Sequence, residues 1–141
     1  MKTAIASDHA GYVMKEQIKA YLDEKGIEYV DFGTDSEASV DYPVYAKRVA
    51  NAVSSGEAEK GILICGTGIG MSIAANKVKG VRAASIMNEY CAEMSRLHND
   101  LNVLCLGGRV LGIEVAKRIT DIFLGTGFSG GKHARRVDMF E

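Results

Sequence analysis

The run Cys65-Gly66-Thr67-Gly68-Ile69-Gly70 sets a thiol at the head of a segment with three glycines in five positions. Glycines so spaced let the main chain approach a ligand closely and point successive N–H groups inward, a cradle for an oxyanion. The same amides, with the dipole end of a following helix, favour a thiolate, so Cys65 can be read as a base or a nucleophile. It can equally be read as a buried strand-end cysteine behind a tight turn. Cys91 and Cys105, one in a helical stretch and one in an apolar run, read only as small hydrophobes. Asp8 and His9 follow the first apolar run and form a candidate orienting pair. His98-Asn99 closes a helical stretch, where a histidine is either a cation suited to the helix dipole or a functional group. Lys132-His133-Ala134-Arg135-Arg136 is either a solvated basic face or a phosphate clamp.

Those groups depend on elements that the hydrophobic pattern lays out. Thr3 to Ala6 is a short apolar run, followed by Met14, Ile18, Tyr21 and Leu22 at helical spacing and closed by Gly26. Tyr29 to Phe32 reads as a second strand, and Tyr45, Val49, Ala52 and Val53 mark a helix started by Asp41 before Pro43. Ile62-Leu63-Ile64 leads through the glycine turn into a helix expected from near Met71 to Gly80. Val81 to Ile86 is the fourth strand, with Asn88 as N-cap of a helix over Tyr90 to Leu97. Val103 to Leu106 is the fifth, and Val115, Ile119, Ile122 and Phe123 share one face of a last helix stopped at Gly125.

Nearly unbroken apolar strands alternating with helices predict one α/β domain over residues 1–141: a doubly wound, five-stranded parallel sheet with helices on both faces. Residues 126–141 are expected to form a basic tail. Ligands of such sheets bind beyond the carboxyl ends of the strands. Asp8, His9, the Cys65 to Gly70 turn and Gly107-Gly108-Arg109 all fall on that edge, whereas His98-Asn99-Asp100 falls on the opposite one. In a symmetric dimer, a neighbour's opposite edge can complete the site.

Composition narrows the classes. With 47% hydrophobic residues in 141, the chain can bury a sizeable core. Seventeen basic against eighteen acidic residues leave a net charge of −1, with no general field for nucleic acid or an anionic membrane. Three cysteines without a C-x-x-C pair argue against a disulfide framework and for the reducing cytoplasm. No stretch of twenty residues is free of charge, and the first apolar run is too short for a signal peptide, so no membrane association is expected. Gly70 is followed by Met71-Ser72, which excludes a P-loop. Gly66-Thr67-Gly68-Ile69-Gly70 has the last spacing of the dinucleotide fingerprint wrong, although Glu89 lies near the ribose-binding distance. No spacing suggests a metal site.

Six segments then occur in order over nearly the whole chain: Ser7-Asp8-His9-Ala10-Gly11, Val40-Asp41-Tyr42-Pro43, Gly61-Ile62-Leu63-Ile64-Cys65-Gly66-Thr67-Gly68, Ile73-Ala74-Ala75-Asn76-Lys77, Ser95-Arg96-Leu97-His98-Asn99-Asp100 and Gly130-Gly131-Lys132-His133. Together they resemble ribose-5-phosphate isomerase type B, within the wider family that includes galactose-6-phosphate isomerase subunits. The resemblance implies a Rossmann-like fold, a homodimer or homotetramer with the active site shared between subunits, a small-molecule sugar phosphate as ligand, and no metal or organic cofactor. It implies interconversion of ribose 5-phosphate and ribulose 5-phosphate through an enediolate, with Cys65 as the base at C2 and Thr67 handling hydroxyl protons. By the same resemblance His98 and Asp8 match ring-opening positions, and the backbone amides from Gly66 through Gly68 to Gly70 match an anion hole. Asn99 matches a sugar-hydroxyl contact, and His9, Arg109 and Arg136 match phosphate ligands. One branch of the family carries a glutamate base where this chain has Met71, which indicates the thiol branch. Lys132 stands where close relatives commonly have arginine, keeping the charge without the bidentate fork, and Arg135 can compensate. A six-carbon substrate, allose 6-phosphate or galactose 6-phosphate, is the second reading, and a non-catalytic nucleotide or sugar-phosphate binding module is the third.

Overall fold

The structure is a computed structural model that describes residues 2–140; Met1 and Glu141, the ends of the expected 1–141 domain, lie outside the described residues. The chain forms β1 (Thr3–Ser7), α1 (Tyr12–Glu24), β2 (Tyr29–Asp31), α2 (Tyr42–Ser54), β3 (Lys60–Cys65), α3 (Ile69–Ala75), β4 (Ala83–Ser85), α4 (Glu89–Leu97), β5 (Val103–Gly107), α5 (Ile113–Gly125) and α6 (Lys132–Val137). A 3-10 turn, Asp138–Phe140, follows α6. All strand pairs are parallel, in the order β2-β1-β3-β5-β4. The expected five-stranded doubly wound sheet is therefore present, with β5 inserted between β3 and β4. The order in which strands are added reverses between β1 and β3, which puts the switch point beside the end of the strand that carries Cys65.

Alternation along each strand builds two cores. Ala4, Ala6, Leu63, Cys65 and Cys105 face α2 and α3, packing on Val49, Ala50, Val53 and Met71. Ile5, Ile62, Ile64 and Leu104 face the other way, onto Ile18, Leu22, Ile119 and Phe123. Both faces of the sheet are apolar, which is why β3 reads as an unbroken hydrophobic run. A buried ammonium fastens the β2 edge: Lys15 is 1% exposed, and its Nζ donates to both Asp31 carboxylate oxygens at 2.7 Å and to the Thr34 carbonyl at 2.6 Å. Lys60 Nζ donates to the Phe123 and Leu124 carbonyls, satisfying the end of α5.

Several boundaries differ from the sequence reading. Asn88 caps α4 as expected, its Oδ1 accepting the Cys91 N–H at 2.8 Å. Asp41 occupies the N-cap of α2, but its side chain makes no capping bond, and Pro43 in the first turn does the starting. α3 begins at Ile69 and ends at Ala75, well before Gly80. Its end is set by Asn76, whose amide both donates to and accepts from the main chain of Ala83 at 2.8 Å, turning the chain toward β4. The expected basic tail is not wholly a tail, because Lys132 to Val137 is helical.

Candidate active site

Three loops at the carboxyl edge are stitched together by main-chain hydrogen bonds. Asp8 N–H donates to the Ile64 carbonyl at 3.2 Å, Gly108 N–H to Cys65 at 2.7 Å, and Arg109 N–H to Gly66 at 3.0 Å. The closeness is enforced by missing side chains: a Cβ on Gly11 would lie 2.3 Å from the Ile64 carbonyl oxygen, and one on Gly107 would lie 2.9 Å from the Thr67 carbonyl. Gly68 alone in the turn has a left-handed backbone, φ +80°, and its α-carbon side is filled by Ser85, whose hydroxyl donates to the Thr67 carbonyl at 3.0 Å.

Within this frame the Cys65 side chain is only 6% exposed, and its Sγ accepts the Gly68 N–H at 3.1 Å. The bond ties the sulfur to the turn that follows it. At Cys105 burial first, and then the neighbouring Cys65, push the thiol far above the ordinary value, as its reading as a small hydrophobe requires. Met71 is fully buried beneath the turn. Two of the amides expected to face a ligand are engaged within the turn, Gly68 by Cys65 and Ile69 by Thr67 Oγ1 at 3.2 Å. Ser7, on the opposite face of the sheet, keeps a buried hydroxyl without a partner among the described residues.

Asp8 and His9 do not orient each other, contrary to the sequence expectation. Asp8 Oδ1 accepts the Gly11 N–H at 3.0 Å, closing its own loop. His9 Nδ1 accepts the Val40 N–H at 3.2 Å, which leaves the proton of the neutral ring on Nε2, free to donate. Arg109 lies beside the turn, its Cδ 3.6 Å and Nη1 3.9 Å from where a Gly66 Cβ would stand. Sequence reasoning missed Tyr42 as a wall of this site. Its ring covers Gly70 so closely that a Cβ there would fall 2.6 Å from Cε1, and the signals in the sequence were its place beside Pro43 and its membership of the Val40-Asp41-Tyr42-Pro43 segment.

The remaining candidates sit at the other edge. His98 is the C-cap of α4, and the chain passes from it through Asn102 into the start of β5. Five residues of β5 separate that point from the carboxyl edge, about 13 Å of strand. There His98 stacks on His133 of α6, with centroids 4.1 Å apart and planes 9° from parallel. Lys132 and Arg136 are exposed on the same short helix. Asn99 lines a groove of about 580 Å³, which follows edge strand β4 between Ala83, Met94, Ser95 and Phe140. One chain therefore presents two separate groups of candidate residues, or candidate half-sites, rather than one pocket.

A sulfur supported by a peptide N–H, near an arginine and the open side of a switch point, suits proton transfer on a small anionic metabolite. Comparison with known proteins specifies the class. Residues 3–140 match the family model described as Ribose/Galactose Isomerase. Ribose-5-phosphate isomerase B of Escherichia coli is 52% identical, over 97% of this chain and 92% of that protein. The solved structure of ribose-5-phosphate isomerase B from Clostridium thermocellum superposes with a TM-score of 0.96 at 54% identity, covering 98% of this chain and 93% of that one. The enzyme of that name from Mycoplasma genitalium, solved with bound ribulose-5-phosphate, gives 0.93 at 44% identity, covering 97% and 91%. The class is that of the sugar-phosphate aldose–ketose isomerases. This chain belongs to the ribose/galactose isomerase family within it.

Proposed function

We propose that this chain interconverts ribose 5-phosphate and ribulose 5-phosphate, with Cys65 as the base. The observation that carries the reading is the Cys65 sulfur at the switch point, 3.1 Å from the Gly68 N–H. The bound ligand of the Mycoplasma genitalium relative supports it. The thiolate takes the C2 proton of the opened aldose, and the thiol so formed delivers it to C1 of the enediolate. Thr67 carries protons between O1 and O2, and the amides still open in the Gly66 to Gly70 turn stabilise the developing negative charge. His9 Nε2, Arg109, Lys132 and Arg136 hold the phosphate, and that remote binding energy keeps the reacting carbons at the sulfur. No metal or organic cofactor takes part in this scheme.

Before that step the closed sugar must open. A protonated His98 gives its proton to the ring oxygen as the C1–O bond breaks, while the Asp8 carboxylate takes the proton of the anomeric hydroxyl; Asn99 holds a sugar hydroxyl. Because His98 and Asp8 lie at opposite edges of one chain, these groups come from two copies in a homodimer, alone or paired into a tetramer. The open groove along β4, lined by Ala83 and Phe140, is the surface that a second copy covers. A thiol base works in a reducing compartment, which makes the cytoplasm its place; no helix among the described residues is long and apolar enough to cross a membrane.

The test is a coupled assay of ribose 5-phosphate isomerisation by wild type and Cys65→Ala. Turnover should fall about 10²- to 10⁴-fold with KM little changed; near-native turnover in the variant contradicts the assignment. The family's description, which names galactose beside ribose, supports galactose 6-phosphate as the second reading, decided by comparing kcat/KM for each sugar.

A further inference from the structure

The C-terminal segment is fastened to the end of α4 at three successive points. Arg96 Nε donates to the Thr126 carbonyl at 2.9 Å, the Ser129 N–H donates to the Leu97 carbonyl at 3.1 Å, and the His133 ring lies on His98. The first two bring α6 to this place. The third reaches a side chain that has chemistry to do. A histidine that moves protons is ordinarily oriented by a partner on one ring nitrogen. Among the described residues no such bond holds His98, and the neighbouring Asp100 carboxylate is taken by Arg82 and Arg96.

We propose that His133 is a positioning residue, its stacked imidazole fixing the ring plane of His98 for proton transfer to the closed sugar. The inference rests on the ring-opening reading given above. A face-to-face stack at 4.1 Å restrains the ring and leaves its nitrogens at the edge, open to a ligand. His98 must carry a positive charge before it protonates the ring oxygen, and a neutral ring beneath it accepts that charge on its π face. His133 is suited to stay neutral: partial burial, then His98, Lys132 and Arg136, hold its pKa below the ordinary histidine value. The other charged groups at this junction are Arg135 on α6 and the Asp100 and Arg96 pair at the end of α4.

The experiment compares wild type, His133→Ala, His133→Phe and His98→Ala by two readouts. One is isomerisation of ribose 5-phosphate, whose ring must open. The other is solvent deuterium exchange into C1 of ribulose 5-phosphate, an open-chain ketose that needs no ring step. His133→Ala should slow isomerisation about three- to tenfold while exchange stays near wild type. His133→Phe, which keeps a stackable ring, should recover most of the loss, and His133→Ala should add little to His98→Ala. An unaffected His133→Ala, a phenylalanine variant as slow as the alanine one, or a parallel fall in exchange each overturns the positioning role. Wild-type protein inactive in both assays overturns the reaction itself, so the two failures are distinguishable.

Discussion

The two half-sites are built by different means. At the carboxyl edge nearly every constraint on Cys65 is main chain: the Gly108 and Arg109 amides bind the Cys65 and Gly66 carbonyls, and Gly107 has no room for a methyl group. At the α4 and α6 edge the groups are side chains on an open surface, and the chain is held there by Arg96, Ser129 and one ring stack. The difference teaches where precision is needed. Moving a carbon-bound proton demands that base and substrate be fixed to within fractions of an ångström, which a backbone can supply. The roles proposed for this edge, gripping a phosphate and docking a second copy, need charge and apolar area, which exposed side chains supply at lower geometric cost.

The largest effect that can break this comparison comes from mixing inactive variants. If the half-sites meet only across two copies, Cys65→Ala and His98→Ala proteins should each be severely impaired, yet subunit exchange between them should restore roughly a quarter of the sites. Activity that stays at the level of the separate variants after exchange would mean that one chain supplies both residues to the same site. Next comes Gly107→Ala, whose new methyl must push the Thr67 turn away. We expect kcat to fall about 10²-fold while the protein remains folded by circular dichroism, and an unchanged kcat would show that the frame tolerates displacement. At the other edge Arg136→Ala should act on binding, raising KM about tenfold with kcat less affected; a pure kcat effect would erase the proposed division of labour.

The smallest effect on activity is expected from Lys15→Met, which touches stability instead. Burial raises the Asp31 pKa, but hydrogen bonds from Lys15, Lys19 and the Gly33 amide outweigh it and hold the carboxyl below its ordinary 3.8. The stability this gives is complete above that value and is lost as pH falls through the lower folded-state pKa. Removing the Lys15 ammonium should cost about 3 kcal/mol near neutral pH and flatten the acid limb of urea denaturation measured against pH. An unchanged acid limb would mean that Lys15 and Asp31 are not coupled.

Legibility in the sequence followed the range of the interaction. The five strands were readable because burial on both sheet faces leaves apolar runs such as Ile62-Leu63-Ile64, and Asn88 was readable as a cap because capping is local. The insertion of β5 between β3 and β4 was not, since the crossover connection is compatible with either neighbour. The burial of Lys15 escaped notice because an isolated lysine on a helix looks solvated until Asp31 is brought opposite it. The separate partners of Asp8 and His9 escaped for the same reason: Val40 reaches His9 only after the loop from β2 has folded back. Even the end of α3 belonged to this class, being decided by Asn76 meeting Ala83.

By itself the sequence determined the layered parallel fold, the glycine turn headed by Cys65, and the placing of the polar groups on two opposite edges. Those follow from periodicity and from residues that act within a few positions of themselves. Only the tertiary structure decided that a peptide N–H faces the Cys65 sulfur, that Tyr42 covers Gly70, and that His133 lies on His98. The physical reason is that each of these contacts is set by distance and direction between groups, and the last two join separate elements, whose relative placement no local preference specifies.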